Sequence, residues 1–153
     1  MKNLKMLWML FLTASVIGIA QTPLYAENII ANRDGEIKIE EPDGSVFNVG
    51  IDKNVGDLPS GSTIYTLSAS MTIAPVKGSL KVVAGPSTAV IEAGSGATVY
   101  YNKNNQTAYF EDDAGEITIT TAGTTTVLNK KGEGAAIKLN EETNAAEVKT
   151  YRV

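Results

Sequence analysis

Two aromatic pairs, Tyr100-Tyr101 and Tyr109-Phe110, flank the polar loop Asn102-Lys103-Asn104-Asn105, and three carboxylates, Glu111-Asp112-Asp113, follow at once. In a hairpin of extended strands, one member of each adjacent aromatic pair faces inwards and the other outwards. The outward pair could stack on a sugar or dock a protein, or simply brace the hairpin as a cross-strand aromatic pair. The three carboxylates could bind calcium. They lack the alternating acidic ligands and the glycine of a calcium loop, so a solvated turn is the expectation there. Lys130-Lys131 reads as a solvated turn as well.

The rest of the inventory excludes most catalysis. There is no histidine and no cysteine. The commonest general base, the commonest zinc ligands and the thiol nucleophile are therefore missing. Neither a G-x-S-x-G elbow nor an S-x-x-K pattern supplies an activated serine. Gly94-Ser95-Gly96 lacks the following helix and lysine of a phosphate-binding loop. A glycosidase can work with two carboxylates, but spacing selects no pair from the 17 acidic residues. The expectation is a chain without catalytic residues, cofactor or metal.

Those residues belong to a chain of 153 residues, enough for one domain once its N-terminus is set aside. Met1 to Lys5 is a short basic start, and Met6 to Ala20 is almost wholly apolar. A proline-containing stretch then ends in Ala26. That order predicts a secretory signal helix, residues 1–26, cut after Ala26, with a second candidate cut after Ala20. An apolar run of about 15 residues falls short of the roughly 20 that span a bilayer, so no stable membrane insertion is expected after cleavage. The mature part, residues 27–153, is then periplasmic or secreted. Without cysteine it has neither disulfides nor a lipoprotein attachment. Its 11 basic and 17 acidic residues leave a net charge of −6, which repels nucleic acid and helps solubility.

The elements that must position the aromatic hairpin are strands. Gly35-Glu36-Ile37-Lys38-Ile39-Glu40 alternates charged and apolar side chains, Glu41-Pro42-Asp43-Gly44 turns, and Ser45 to Val49 returns. Gly56-Asp57-Leu58-Pro59-Ser60-Gly61 is a turn block leading into Ser62 to Leu67. There Ser62, Ile64 and Thr66 face one way and Thr63, Tyr65 and Leu67 the other. Similar runs recur to the C-terminus, divided by glycine, and none sustains a helical period. About 11 short strands follow, predicting an all-β fold of two packed sheets, a sandwich or roll, with a solenoid as the alternative. Burying a Val, Ile or Leu gains about 1.5–3 kcal/mol against a backbone cost of about 1–2 kcal/mol per residue. One-sided strands thus hold only where two apolar faces close on each other. Ile37, Ile39, Ile117, Ile119, Ile137 and Leu139 are the candidates for that interior.

Three stretches resemble the opening of the FecR domain: Gly35 to Ile39, the block Val55 to Thr66, and Ser70 to Ile73. That family runs as a glycine-led strand, a "G-D-x-L-x-x-G-x-x-I-x-T" block and a short strand. Gly115 to Ile119 and Lys131 to Ala135 are similar to its later strands. The resemblance implies a periplasmic or surface β domain. Its best-known members are sensors that relay a signal from an outer-membrane receptor to an anti-sigma arrangement at the inner membrane. This chain is expected to carry a signal peptide where those sensors have a cytoplasmic segment and a membrane helix, and the sequence stops soon after the domain, so inward signalling is not expected of it. The expectation is a non-catalytic binding domain with a protein partner in the cell envelope or a small extracellular ligand. A self-associating surface or matrix component is the alternative.

Overall fold

The computed structural model describes residues 29–31, 36–49, 54–55, 58–67 and 70–153. The predicted leader and its cut, together with Gly35, Gly56 and Asp57, lie outside them. The described residues form fourteen strands: β1 (Ile29–Ala31), β2 (Ile37–Glu40), β3 (Val46–Val49), β4 (Asn54–Val55), β5 (Thr63–Thr66), β6 (Ser70–Ile73), β7 (Ser79–Ala84), β8 (Ser87–Glu92), β9 (Gly96–Asn102), β10 (Thr107–Ala114), β11 (Ile117–Thr121), β12 (Thr124–Leu128), β13 (Glu133–Asn140) and β14 (Ala145–Arg152). This exceeds the expected total of about 11, partly because a strand as short as β4 carries no alternation to read. Among these residues no helix is long and apolar enough to cross a membrane.

The strands make two sheets. Sheet A has the order β14-β13-β10-β9-β6-β1-β4, and sheet B the order β12-β11-β8-β7-β5-β2-β3. All neighbours pair antiparallel except β5 and β7, which run parallel. This is the all-β, two-sheet architecture that the alternation predicts. One interior lies between the sheets, where Ile37, Ile39, Ile64, Leu80 and Ile119 of sheet B meet Ile73, Val99, Phe110 and Ile137 of sheet A. Of the six predicted core residues five are fully buried, whereas Leu139 is only half-buried near the end of β13.

From β7 onwards the chain lays hairpins alternately on the two sheets: β7-β8 on B, β9-β10 on A, β11-β12 on B and β13-β14 on A. Each step from one sheet to the other, beginning with the step after β6, contains a glycine at positive φ: Gly78, Gly94, Gly115 and Gly132. Gly115 shows why. Its φ is 69°, and a Cβ there would lie 2.4 Å from the Ser95 hydroxyl, so a side chain is excluded by both backbone and space.

The turns follow a second rule. From β7 onwards the hairpins of sheet B close with two residues, Gly85-Pro86 and Ala122-Gly123, whereas the earlier β2-β3 hairpin takes five, Glu41 to Ser45. On sheet A they close with four, and each loop is held by an asparagine just before it. Asn102 accepts hydrogen bonds from the amides of Asn104 and Asn105, and Asn140 from those of Glu142 and Thr143. Both turn types recur one hairpin pair later, so the sandwich has a repeat in its turns that the uneven glycine spacing conceals. The predicted hairpin of β2 and β3 also forms. Gly44 sits at φ 93° and the Ser45 amide donates to the Asp43 carboxylate at 2.8 Å. That amide, with the Ser45 hydroxyl, holds the Asp43 carboxyl below its ordinary value.

The Pro59-Ser60-Gly61 turn is fastened to β7. The Gly61 amide donates to the Ser79 carbonyl at 2.9 Å, and the Ser79 amide to the Ser60 hydroxyl at 3.0 Å. Leu58 enters the core beside it. Ser62, Ile64 and Thr66 are buried while Thr63 and Tyr65 face outwards, as the alternation requires.

Candidate functional site

The aromatic hairpin is β9-β10. Phe110 is fully buried and Tyr101 packs against the core, while Tyr100 and Tyr109 stand on the outer face of sheet A. Tyr100 and Tyr109 are opposite one another across the ladder. Their rings stack with centroids 5.8 Å apart and planes inclined by 24°. They do brace the hairpin, but the pair also forms one wall of a larger feature.

The register across sheet A builds that feature. On β13, Ala136 is opposite Tyr109 and Gly134 is opposite Glu111. On β14, Lys149 is opposite Ala136 and Tyr151 is opposite Gly134. Small residues on β13 thus lie between tall ones on β10 and β14. The result is a trough of about 660 Å³, with Tyr109, Ala136, Lys138, Glu147, Lys149 and Tyr151 among its lining. A second hollow of about 430 Å³ shares Tyr109 and Tyr151 and extends over Tyr100, Thr98, Asn102 and Ser70. Both volumes lie in the range of small-molecule sites.

Several groups on this face are held in place. The Tyr151 ring lies across Gly134, where a Cβ would come within 2.4 Å of it, and its hydroxyl donates to Glu111 at 3.2 Å. Burial first, then the Glu111 charge and this hydrogen bond, push the Tyr151 phenol up to about 12. It is therefore a fixed donor at any ordinary pH. The Asn105 amide reaches the Tyr109 hydroxyl at 3.5 Å, and the Asn140 amide donates to Glu147 at 3.0 Å. At the far margin Thr98 donates to Asp113 at 2.7 Å.

The carboxylate run does not form the expected solvated turn. Glu111, Asp112 and Asp113 all lie within β10, and the chain turns only at Gly115. Phe110 anchors the alternation in the core, so Asp112 must follow it inwards while Glu111 and Asp113 face out. The three carboxylates are thereby split between two faces. Among the described residues no three His, Cys, Asp or Glu side chains gather as a metal ion would need.

Asp112 is 1% exposed, and neither carboxylate oxygen has a hydrogen-bond partner. Burial pushes its carboxyl up, and the nearby Glu133 and Asp113 carboxylates add to this. The Ala114 amide, without hydrogen-bond geometry, offsets only part of the rise. Lys130 and Lys131 are exposed in the connection between β12 and β13, as expected of a solvated turn. Ser95 of the Gly94-Ser95-Gly96 turn accepts from the Glu116 amide and so braces a corner between strands.

Tyr151, Ala136 and Gly134 were not among the sequence candidates. The one local signal for Tyr151 is its alternation with Lys149 on the final strand, and nothing nearby in sequence places it beside Glu111. No family, curated relative or solved structure matches the chain.

Proposed function

We propose that this chain is an exported, non-catalytic binding domain of the FecR-like kind. Its partner is an envelope protein or an extracellular ligand, engaged through the outer face of sheet A. The observation that carries the reading is the trough between β10 and β14, where tyrosine walls, a small-residue floor and fixed polar groups meet on a rigid sheet. Sites on strands hold their geometry more tightly than sites on loops. The basic-then-apolar N-terminus ending in Ala26 supports export to the periplasm or beyond.

A photo-crosslinking residue placed at Tyr109, and separately at Thr120 on the opposite face, tests this in intact cells. Capture from position 109 and none from position 120 is the expected outcome. Equal capture, or capture from position 120 alone, overturns it.

A second reading has its own observation. β14 is eight residues long, pairs with β13 along one edge, and has no strand partner on the other among the described residues. Such an edge can pair with another chain, and self-association into a surface component would use it. Light scattering of the purified protein decides: large assemblies favour this reading, and a monomer at all concentrations removes it.

A further inference from the structure

We infer that the ligand of the sheet A face is a saccharide, a run of pyranose rings laid across the strands. The inference rests on the reading of this face as the binding surface and adds the ligand class. A pyranose has a patch of C–H bonds on one face and a rim of hydroxyls. Its site needs an exposed aromatic face, since the negative π surface attracts C–H groups, and flanking donors and acceptors for the rim.

The trough has both. One face of Tyr109 is stacked with Tyr100, and the next residue across the ladder on the other side is the small Ala136, which lines the trough together with Tyr109. Lys138 and Lys149 offer donors and Glu147 an acceptor around the trough. Asn102 and Ser70 continue the polar lining in the second hollow. Because Tyr109 and Tyr151 belong to both hollows, the surface is continuous from Ser70 on β6 to Lys149 on β14. That crosses four inter-strand spacings, about 19 Å at about 4.8 Å each, long enough for several sugar rings.

The alternatives fit less well. A protein partner wants desolvated aliphatic or aromatic anchors at the centre of its interface. Of the exposed aliphatic side chains, Val90 and Val127 are on sheet B, and Val148 is the one that lines the trough, where its neighbours Glu147 and Lys149 are charged. Nucleic-acid bases also stack on tyrosine, and Lys138 and Lys149 could each meet a phosphate, but Glu111 and Glu147 share the face and the whole chain has a net charge of −4.

The test is calorimetric titration of the purified protein with hexasaccharides of β-1,4-linked glucose, β-1,4-linked N-acetylglucosamine, β-1,3-linked glucose and α-1,4-linked glucose. Pull-down on insoluble cellulose, chitin and peptidoglycan accompanies it. At least one of these binds. Tyr109→Ala and Tyr151→Ala each weaken that binding by about tenfold or more, Tyr109→Phe by less than about threefold, and Thr120→Ala leaves it unchanged. If Tyr109→Ala fails to fold, Tyr109→Leu keeps the apolar bulk and removes the ring, with the same loss expected. No binding to any member of the panel, or binding indifferent to Tyr109 and Tyr151, overturns the inference. If the panel fails while a crosslinker at Tyr109 still captures a partner in cells, the saccharide falls and the binding face stands. If neither occurs, both fall.

Discussion

Sheets A and B share one interior and one alternation rule, yet the outer faces of their hairpins from β7 onwards have opposite relief. Across sheet B, Lys81, Val90, Thr118 and Val127 form one row, and Val83, Thr88, Thr120 and Thr125 the next. Apart from Lys81 these are β-branched side chains of similar height, and this part of the face is even; beyond Val83 the row meets Tyr65, whose ring is covered by the Lys38 ammonium at 4.4 Å. Across sheet A, Tyr109 stands beside Ala136 and the Tyr151 ring covers Gly134. Tall beside short makes a hollow. From β7 onwards the turns differ too, two residues on B against asparagine-held loops of four on A. The backbone scaffold is common to both sheets, so the hollow on sheet A, and with it the binding proposed there, comes from side-chain size contrast.

If the two sheets truly share a core, damage to one must unfold both. Phe110→Ala, on sheet A but packed in the common interior, should cost about 3–5 kcal/mol and leave a single cooperative unfolding transition by circular dichroism. Two separate transitions would break the comparison at its base.

Asp112 sharpens it, as a buried carboxylate on the inner face two residues beyond Phe110. Its folded pKa lies above the unfolded value, so the folded state holds the proton more tightly. The associated stability is fully present below the ordinary value of 3.8 and is lost as pH rises through the folded pKa. Asp112→Asn should stabilise the protein at pH 7 by about 1–3 kcal/mol and remove that part of the pH dependence, as measured by urea unfolding at several pH values.

Tyr151→Phe removes the hydroxyl held by Glu111 on the outer face of sheet A and should cost about 0.5–1.5 kcal/mol. The wild-type contribution persists below the unfolded value near 10 and fades as pH rises through about 12. The ultraviolet difference titration between wild type and variant should therefore show one phenol ionising last.

The smallest effect concerns the turns. The two-residue turn on sheet B holds Ala122 at φ 48° ahead of Gly123 at φ 80°. Asn-Gly suits such a turn better, and Ala122→Asn should raise stability by about 0.5 kcal/mol in thermal unfolding.

What the sequence disclosed and what it hid divide along the same physical line. Ile37, Ile39, Ile117 and Ile119 alternate with polar residues over one strand each, so their burial is legible locally. That Tyr100-Tyr101 and Tyr109-Phe110 each split between the inner and outer faces is legible for the same reason, though not which member faces in. Asp112 was misplaced because three successive carboxylates suggest water, whereas Phe110 two residues earlier commits Asp112 to the core. The trough was invisible because it is built by register. Glu111 and Tyr151 are 40 residues apart, and only the pairing of β10 with β13 and of β13 with β14 brings them together. Glycine punctuation marked the breaks between strands, but not that those glycines carry the chain from one sheet to the other.

The most direct test of the account is a nitrogen-15 chemical-shift map of the purified protein on addition of the tightest-binding hexasaccharide. The shifts should cluster on Thr98, Tyr100, Tyr109, Ala136, Lys149 and Tyr151 while Thr88, Thr118 and Thr120 stay still. A cluster on the threonine and valine face of sheet B, with the tyrosine face unmoved, would contradict it.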